Sequence, residues 1–351
     1  MKYKFMYIFI VATLLLSSCS GTGPAENETE EVLPESNEPY KAAFVTSTAR
    51  GNEFIDLIWT GFETLESEGW EVKAIETFET AEQPEHIRAL AADGYNLIYT
   101  QGDDVMQSVF DLEDELVANY PDLHFFFLDT YTETTMPNST AVTIDPFESC
   151  FIAGFVAANM TETGTVGIMM PLDTPIMDRF KYGYLAGIDY ADSLSGKKTE
   201  HVIGYTNDWI DTVKGQEATF AMAENYPVDI IIHCAYISGY GVISACADLG
   251  IPCIGVDGWQ GSIDPIVFWS AIKSMNIAVE KTAHDWMNGE ALPFKMEYGL
   301  QEGGEAYAEQ DLPNLPEELQ EAVLKLEQSI VNGEVDVFAG EYEQWRETGS
   351  N

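Results

Sequence analysis

A chain of 351 residues of which 46 % are hydrophobic has room for two cores of ordinary domain size, which excludes a disordered polymer. Its 16 Lys and Arg face 59 Asp and Glu, for a formal net charge of -43, and such a surface repels phosphate backbones and anionic membranes alike. Nucleic acid is therefore excluded as a partner, and the acidic excess reads as solubility or salt adaptation of an exported protein.

The first segment says where the chain is expected to work. Lys2 and Lys4 precede an almost continuous apolar run, Phe5 to Leu16, followed at once by Leu16-Ser17-Ser18-Cys19. The run is short for a spanning helix and has the layout of a secretory signal peptide. Its end resembles the bacterial lipobox, in which cleavage before the cysteine leaves a thiol that carries a diacylglycerol. Residues 1–18 are thus expected to be a signal peptide and Cys19 the lipidation site. Residues 19–38, small, acidic and broken by proline, are expected to form a flexible linker. The expected location is the extracytoplasmic face of the cell membrane, with the lipid anchor as the membrane contact.

Past the linker, short apolar runs alternate with stretches of helical period. In chain order, strands are expected at 41–46, 71–77, 96–100, 124–129, 141–144, 166–170, 201–205, 229–234, 252–257 and 266–270. Helices are expected between them at 54–67, 83–92, 105–117, 147–160, 176–192, 213–223, 241–249 and 272–287. Strict alternation argues for parallel sheets built from βαβ units, and ten strands divide naturally into two doubly wound α/β domains.

Cys150, Cys234, Cys246 and Cys253 lie in apolar runs without CxxC spacing, and the five histidines are dispersed without an HExxH pattern. Small buried thiols are expected, with no metal and no cofactor.

In doubly wound sheets ligands collect beyond the carboxyl ends of the strands. The first strand leads into Ser47-Thr48-Ala49-Arg50-Gly51-Asn52-Glu53-Phe54, and the fourth ends at Asp129. Later strands are followed by Asn207-Asp208-Trp209-Ile210-Asp211 and by Tyr236-Ile237-Ser238-Gly239-Tyr240-Gly241, or end in Gly255-Val256-Asp257. Aromatics, amides and a carboxylate at strand ends suit a small planar, hydroxylated ligand. Each residue also has a plain structural alternative: Asp257 as a helix cap, Trp209 packed on its own loop, Phe54 in the core.

The order of motifs carries a resemblance. Phe54 with Trp59 and Gly61, the run Ile144-Asp145-Pro146-Phe147-Glu148-Ser149-Cys150-Phe151-Ile152-Ala153-Gly154, and Gly164-Thr165-Val166-Gly167 before Leu172-Asp173-Thr174-Pro175-Ile176 come first. Phe180 with Gly183 and Gly187, Trp209-Ile210-Asp211-Thr212-Val213-Lys214, Gly239-Tyr240-Gly241, Gly255-Val256-Asp257, Lys273, Gly299-Leu300 with Gly303-Gly304, and Ile330-Val331-Asn332-Gly333-Glu334 follow. From about Tyr40 to Ala339 the chain resembles the basic membrane protein family of bacterial substrate-binding lipoproteins, whose characterised members deliver purine nucleosides to ABC transporters.

The resemblance implies a fold of the type I periplasmic-binding-protein kind, two lobes joined by a hinge with the ligand clamped between them. It places lobe 1 at 39–144 plus 257–293 and lobe 2 at 145–256 plus 294–345. Phe54 and Trp209 become the aromatic walls around a base, Asp257 the acceptor for ribose hydroxyls and Lys273 the donor to the sugar, with Gly239 at the lobe 2 side. The partners implied are a nucleoside-like small molecule and an ABC permease, with the binding protein a monomer and not an enzyme. Where many relatives have Asp-Lys-Ser-Phe-Asn, this chain has Gly51-Asn52-Glu53-Phe54-Ile55, so the amide after the aromatic is replaced by Ile55. On that ground purine nucleosides are expected to bind more weakly than in relatives, and Arg50 either faces solvent or turns inward as an added cation. A sensor for a membrane signalling partner and an extracellular nucleoside hydrolase are the alternatives; the second lacks a GxSxG elbow or any metal-ligand spacing.

Overall fold

The structure is a computed structural model and describes residues 39–343; the expected signal peptide, Cys19, the linker and the last residues lie outside this range. Two sheets, parallel in every strand pairing, organise the chain. The first contains β1 (Lys41–Thr46), β2 (Glu71–Glu76), β3 (Leu97–Gln101), β4 (His124–Leu128) and β5 (Ser139–Ile144), and is completed by β11 (Lys295–Tyr298) beside β5. The second contains β6 (Thr165–Met170), β7 (Glu200–Tyr205), β8 (Ile231–His233), β9 (Cys253–Asp257) and β10 (Val267–Ile272).

Each sheet has its first strand inside, β1 between β2 and β3 and β6 between β7 and β8, so the winding reverses at the same place in both. The two sheets have the α/β order and parallel pairing of a doubly wound fold.

The strands are parallel because helices cross back over both faces, and their side chains accordingly alternate between two dry layers. In the first lobe, Phe44, Tyr99, Phe126 and Val142 face α1 (Glu53–Ser67) and α9 (Met275–Met287). Val45, Ile98, Phe125 and Phe127 face α2 (Gln83–Ala92), α3 (Asp103–Phe110) and α4 (Glu113–Asn119). In the second lobe, Ile168, Met170, Ile232 and Ile254 pack on α5 (Phe147–Met160), α6 (Pro175–Ser195) and α10 (Glu317–Val331). Met169, Ile231 and Cys253 face α7 (Thr212–Asn225) and α8 (Gly239–Leu249).

α5 and α6 touch backbone to backbone, since a Cβ at Gly183 would strike the Phe147 carbonyl and one at Gly187 the Phe151 carbonyl. Two of the glycines that carry the resemblance are therefore packing residues.

The chain crosses between the lobes three times: after β5 into α5, after β10 into α9, and after β11 toward α10. These crossings form the hinge. The pairings of β10 and β11 run opposite to the expected boundaries: residues 267–272, expected in the first lobe, pair with β9, and residues 295–298, expected in the second, pair with β5. The first lobe therefore takes back the chain at α9 and keeps it through β11. Three further differences are local. The helix expected at 105–117 is interrupted at Asp111–Leu112 into α3 and α4, β10 runs on to Ile272 so that α9 begins at Met275, and β11 and α10 were not expected. Cys150, Cys234, Cys246 and Cys253 are buried free thiols. Among the described residues no helix is long and apolar enough to cross a membrane, and no cluster of metal-ligating side chains occurs.

Candidate functional site

A cavity of about 380 Å³ lies between the carboxyl ends of the two sheets. It has the size of a small-molecule site. Of the residues singled out from the sequence, Phe54, Trp209, Asp257 and Lys273 line it, whereas Arg50 and Gly239 do not.

Phe54 is set by the start of α1. Gly51 takes a left-handed φ of 97°, Asn52 caps the helix by accepting from the Ile55 N–H at 3.0 Å, and its amide donates to the Ala49 carbonyl at 2.8 Å. The helix then turns Phe54 to the cavity and Ile55 to the core, where Ile55 is fully buried among Phe44, Phe62 and Val279. The premise of the expectation built on Ile55 does not hold: its side chain lies in a lobe core and not at a ligand edge, so an amide there would be buried rather than used for recognition. Arg50 is exposed and its guanidinium stacks 4.5 Å from the Trp59 ring, outside the cavity lining. Gly239 opens α8 with its Cα against the His233 imidazole, which a Cβ would strike, so the glycine makes room for that ring.

Trp209 is displayed by a loop tied down on each side. The Asp208 carboxylate accepts from the backbone N–H groups of Ile210 and Asp211 and from Lys214 at 2.7 Å, which together hold it down at about 2. Asp211 caps α7, and the Ser238 N–H donates to the Trp209 carbonyl at 2.9 Å. Phe54 thus reaches the cavity from lobe 1 and Trp209 from lobe 2.

The polar end is built from three strand ends. Lys273, on the crossing after β10, is 3 % exposed and donates to Asp129 Oδ1 at 2.5 Å and to the Tyr131 hydroxyl at 3.2 Å. Its ammonium also lies 5.7 Å from the centre of the Phe54 ring and 5.6 Å from that of Phe180. Burial pulls the ammonium down, but Asp129, Tyr131 and Asp257 outweigh it and the group stays charged, its pKa above the ordinary lysine value. With three N–H donors and two used, one is left for a ligand.

Asp257 is different: no hydrogen bond reaches its carboxylate among the described residues. Burial raises it to about 6; Lys273 opposes that shift, while Asp129 and Glu53 add to it. An acceptor without a partner facing a cavity is what a hydroxylated ligand would satisfy.

Three lining residues hold left-handed backbone, Asp129 at φ 59°, Tyr236 at 51° and Asp257 at 70°, and Asn207 at 58° stands just before Trp209. Such conformations cost non-glycine residues about 1–3 kcal/mol each and concentrate where function fixes a side chain. Sequence reasoning noted Asp129 and Tyr236 at strand ends without assigning them, and did not single out Gln101 and Asp103. The Gln101 Oε1 accepts from Thr46 at 2.9 Å, leaving its N–H donors without a partner among the described residues. The rule that would have found both is the inspection of every strand end, since β3 closes on Gln101 and α3 opens on Asp103.

Residues 42–341 match the model of a family described as Bmp, ABC transporter substrate-binding protein PnrA-like. This chain belongs to the Bmp family. Bmp proteins are substrate-binding proteins of ABC transporters and not enzymes; they bind small molecules and hand them to a permease. Basic membrane protein A1 of Borrelia garinii subsp. bavariensis is 25 % identical over 341 residues, 95 % of this chain and 96 % of that protein. The ABC transporter nucleoside-binding protein BmpA of Lactococcus lactis subsp. cremoris is 26 % identical over 85 % of this chain and 88 % of its own. Among solved structures, an ABC transporter solute-binding protein of Aeropyrum pernix K1 superposes with a TM-score of 0.68 at 22 % identity, covering 89 % of this chain and 97 % of its own. Neighbours of this kind have the type I periplasmic-binding fold, and the two parallel-sheet lobes of this Bmp chain share it.

Proposed function

We propose that this protein binds a nucleoside in the cavity between its lobes and delivers it to the permease of an ABC importer, as a lipid-anchored monomer on the extracytoplasmic face. One observation carries the reading. A cavity of about 380 Å³ receives one aromatic side chain from each lobe, Phe54 and Trp209, and has at one end an unsatisfied carboxylate beside an ammonium with a donor to spare.

In this reading Phe54 and Trp209 stack on the base, at about 1–3 kcal/mol per ring face. Asp257 accepts from the ribose hydroxyls and Lys273 donates to the sugar, so that a ligand lacking those hydroxyls leaves buried polar groups unpaired. Gln101 and Asp103 offer a donor and an acceptor elsewhere in the lining. Family membership and the nucleoside-binding relative in Lactococcus support the same choice of ligand.

Mass spectrometry of the small molecule released on denaturing the purified protein tests it. A nucleoside mass is expected; a sugar or amino-acid mass at stoichiometric yield overturns the reading. Intact mass of membrane-extracted protein tests the anchor: a diacylglycerol on Cys19 is expected, and its absence removes that part.

A further inference from the structure

We propose that Arg179 is a positioning residue that couples the ligand cavity to the hinge, setting how far the two lobes close. The inference rests on the reading of the cavity as the ligand site.

Arg179 stands in the first turns of α6 and is 7 % exposed. Its guanidinium pairs with Asp145 Oδ2, on the crossing after β5, and lies 3.5 Å from Glu297 Oε1, on β11 just before the third crossing. It also stacks 4.8 Å from the Tyr131 ring, and the Tyr131 hydroxyl accepts from Lys273, on the second crossing. One side chain of lobe 2 therefore touches the first hinge crossing directly at Asp145, the strand that leads into the third at Glu297, and the second through Tyr131 and Lys273.

The crossings are tied to one another at the same spot. The Asp145 N–H donates to the Tyr298 carbonyl at 3.2 Å, and Asp145 Oδ1 accepts from the Phe147 N–H at 3.0 Å at the start of α5. A rotation of one lobe about these crossings changes the contacts of Arg179 with Tyr131 and Glu297, which belong to the other lobe.

The same helical turn faces the cavity. Ile176, Met177 and Phe180 line it, and Phe180 adjoins the Lys273 ammonium. A ligand packed on these three side chains fixes the N-terminal turn of α6 and with it the guanidinium; a guanidinium held by the hinge in turn fixes the apolar wall that the ligand meets. A buried ion pair adds little net stability, because desolvation offsets its attraction, so an arginine at this junction is better explained by the geometry it specifies. The planar fork can bridge two carboxylates and stack on a ring at once, which the point charge of lysine cannot.

Apparent affinity is intrinsic affinity multiplied by the population of the binding-competent arrangement, so a change at the hinge is read as a change in that population. The test uses single-molecule FRET between dyes on cysteines placed at the exposed positions Glu79 and Glu217, one per lobe, with guanosine as the probe and calorimetry alongside. Arg179→Lys keeps a cation beside Asp145 and so keeps the fold. It is expected to shift the inter-lobe distance distribution in the absence of guanosine and to weaken guanosine binding about tenfold. Phe54→Ala is expected to weaken binding without moving the ligand-free distribution. An Arg179→Met, Asp145→Asn double variant, which removes both charges together, is expected to shift the ligand-free distribution as Arg179→Lys does. Wild-type distributions in both Arg179 variants overturn the proposal. The ligand-free arm does not depend on the identity of the ligand, so failure of guanosine to bind the unmodified protein counts against the nucleoside reading and leaves this arm standing.

Discussion

The two lobes present unlike faces to the cavity. Lobe 1 offers Thr48, Thr100, Gln101, Asp103, Asp129 and Thr130, nearly all at or just beyond strand ends, with Phe54, Met106 and Leu128 among them. Lobe 2 offers Ile176, Met177, Phe180, Trp209, Cys234 and Val256, with Tyr236 and Asp257 as its polar members. Polar groups at the ends of parallel strands can stay hydrated while the site is empty and exchange water for ligand one hydrogen bond at a time. Apolar groups contribute when water is driven out. On the proposed function, lobe 1 supplies most of the groups that read the ligand and lobe 2 most of the apolar cover, with Asp257 as lobe 2's own reading group and Lys273 on the crossing between them belonging to both tasks.

Removing that shared residue should have the largest effect. Lys273→Met leaves the Asp129 carboxylate without its cation and is expected to cost about 3 kcal/mol of folding stability, as breaking a buried pair does. It should weaken guanosine binding about a hundredfold as well. Thermal unfolding and calorimetry check both; a variant with the melting temperature and affinity of the unmodified protein would break the comparison at its centre.

Trp209→Ala should weaken binding about tenfold to a hundredfold, almost wholly through faster dissociation, with a melting temperature lowered only modestly because the half-buried ring packs at the edge of the lobe 2 core. Gln101→Ala, on the reading lobe, should instead change the rank order among guanosine, inosine and adenosine. Stopped-flow fluorescence separates the two, and identical kinetic signatures would mean that the lobes do not divide the work.

The pH dependence follows from Asp257. Its carboxyl sits at about 6 in the free protein, and a ligand hydroxyl must donate to the ionised form. Binding therefore expels a proton below pH 6, and affinity should fall about tenfold between pH 7 and pH 5. Folding stability moves the other way. A carboxyl raised in the folded state binds more protons there than in the unfolded chain, so its contribution is largest at low pH and is lost as pH climbs through about 6. Asp257→Asn should flatten both profiles, which titrations at a series of pH values will show. Arg50→Ala, stacked on Trp59 outside the cavity, should change affinity less than about twofold and stability by no more than about 1 kcal/mol.

Much of this could be read from the sequence because parallel sheets write themselves plainly. Strands such as 41–46 and 124–128 are buried on both faces and appear as continuous apolar runs, and the ligand rule for strand ends then leads to Phe54, Trp209 and Asp257. The strand Lys295–Tyr298 escaped because it is an edge strand with two charged residues out of four, which carries no such run. The helix Glu317–Val331 carries its apolar stripe at Leu319, Val323, Leu326 and Ile330, a period that was there to be found. Ile55 misled because adjacent residues at a helix start point in different directions, and whether Phe54 or its neighbour meets the cavity is decided by the Asn52 cap and by packing against α9; Arg50, left open between solvent and cavity, lies exposed on Trp59. Arg179 was invisible, since Asp145 on the first crossing, Tyr131 in the loop after β4 and Glu297 on β11 come together only when the first sheet is folded beside α6.

The central claim is that an aromatic pair and a polar end together grip one nucleoside, and calorimetric titration with guanosine, guanine and ribose tests it most directly. Guanosine is expected to bind at least about a hundredfold more tightly than either fragment, since each fragment forfeits one set of interactions worth about 1–3 kcal/mol or more. Ribose binding as tightly as guanosine, or guanosine failing to bind at all, would contradict it.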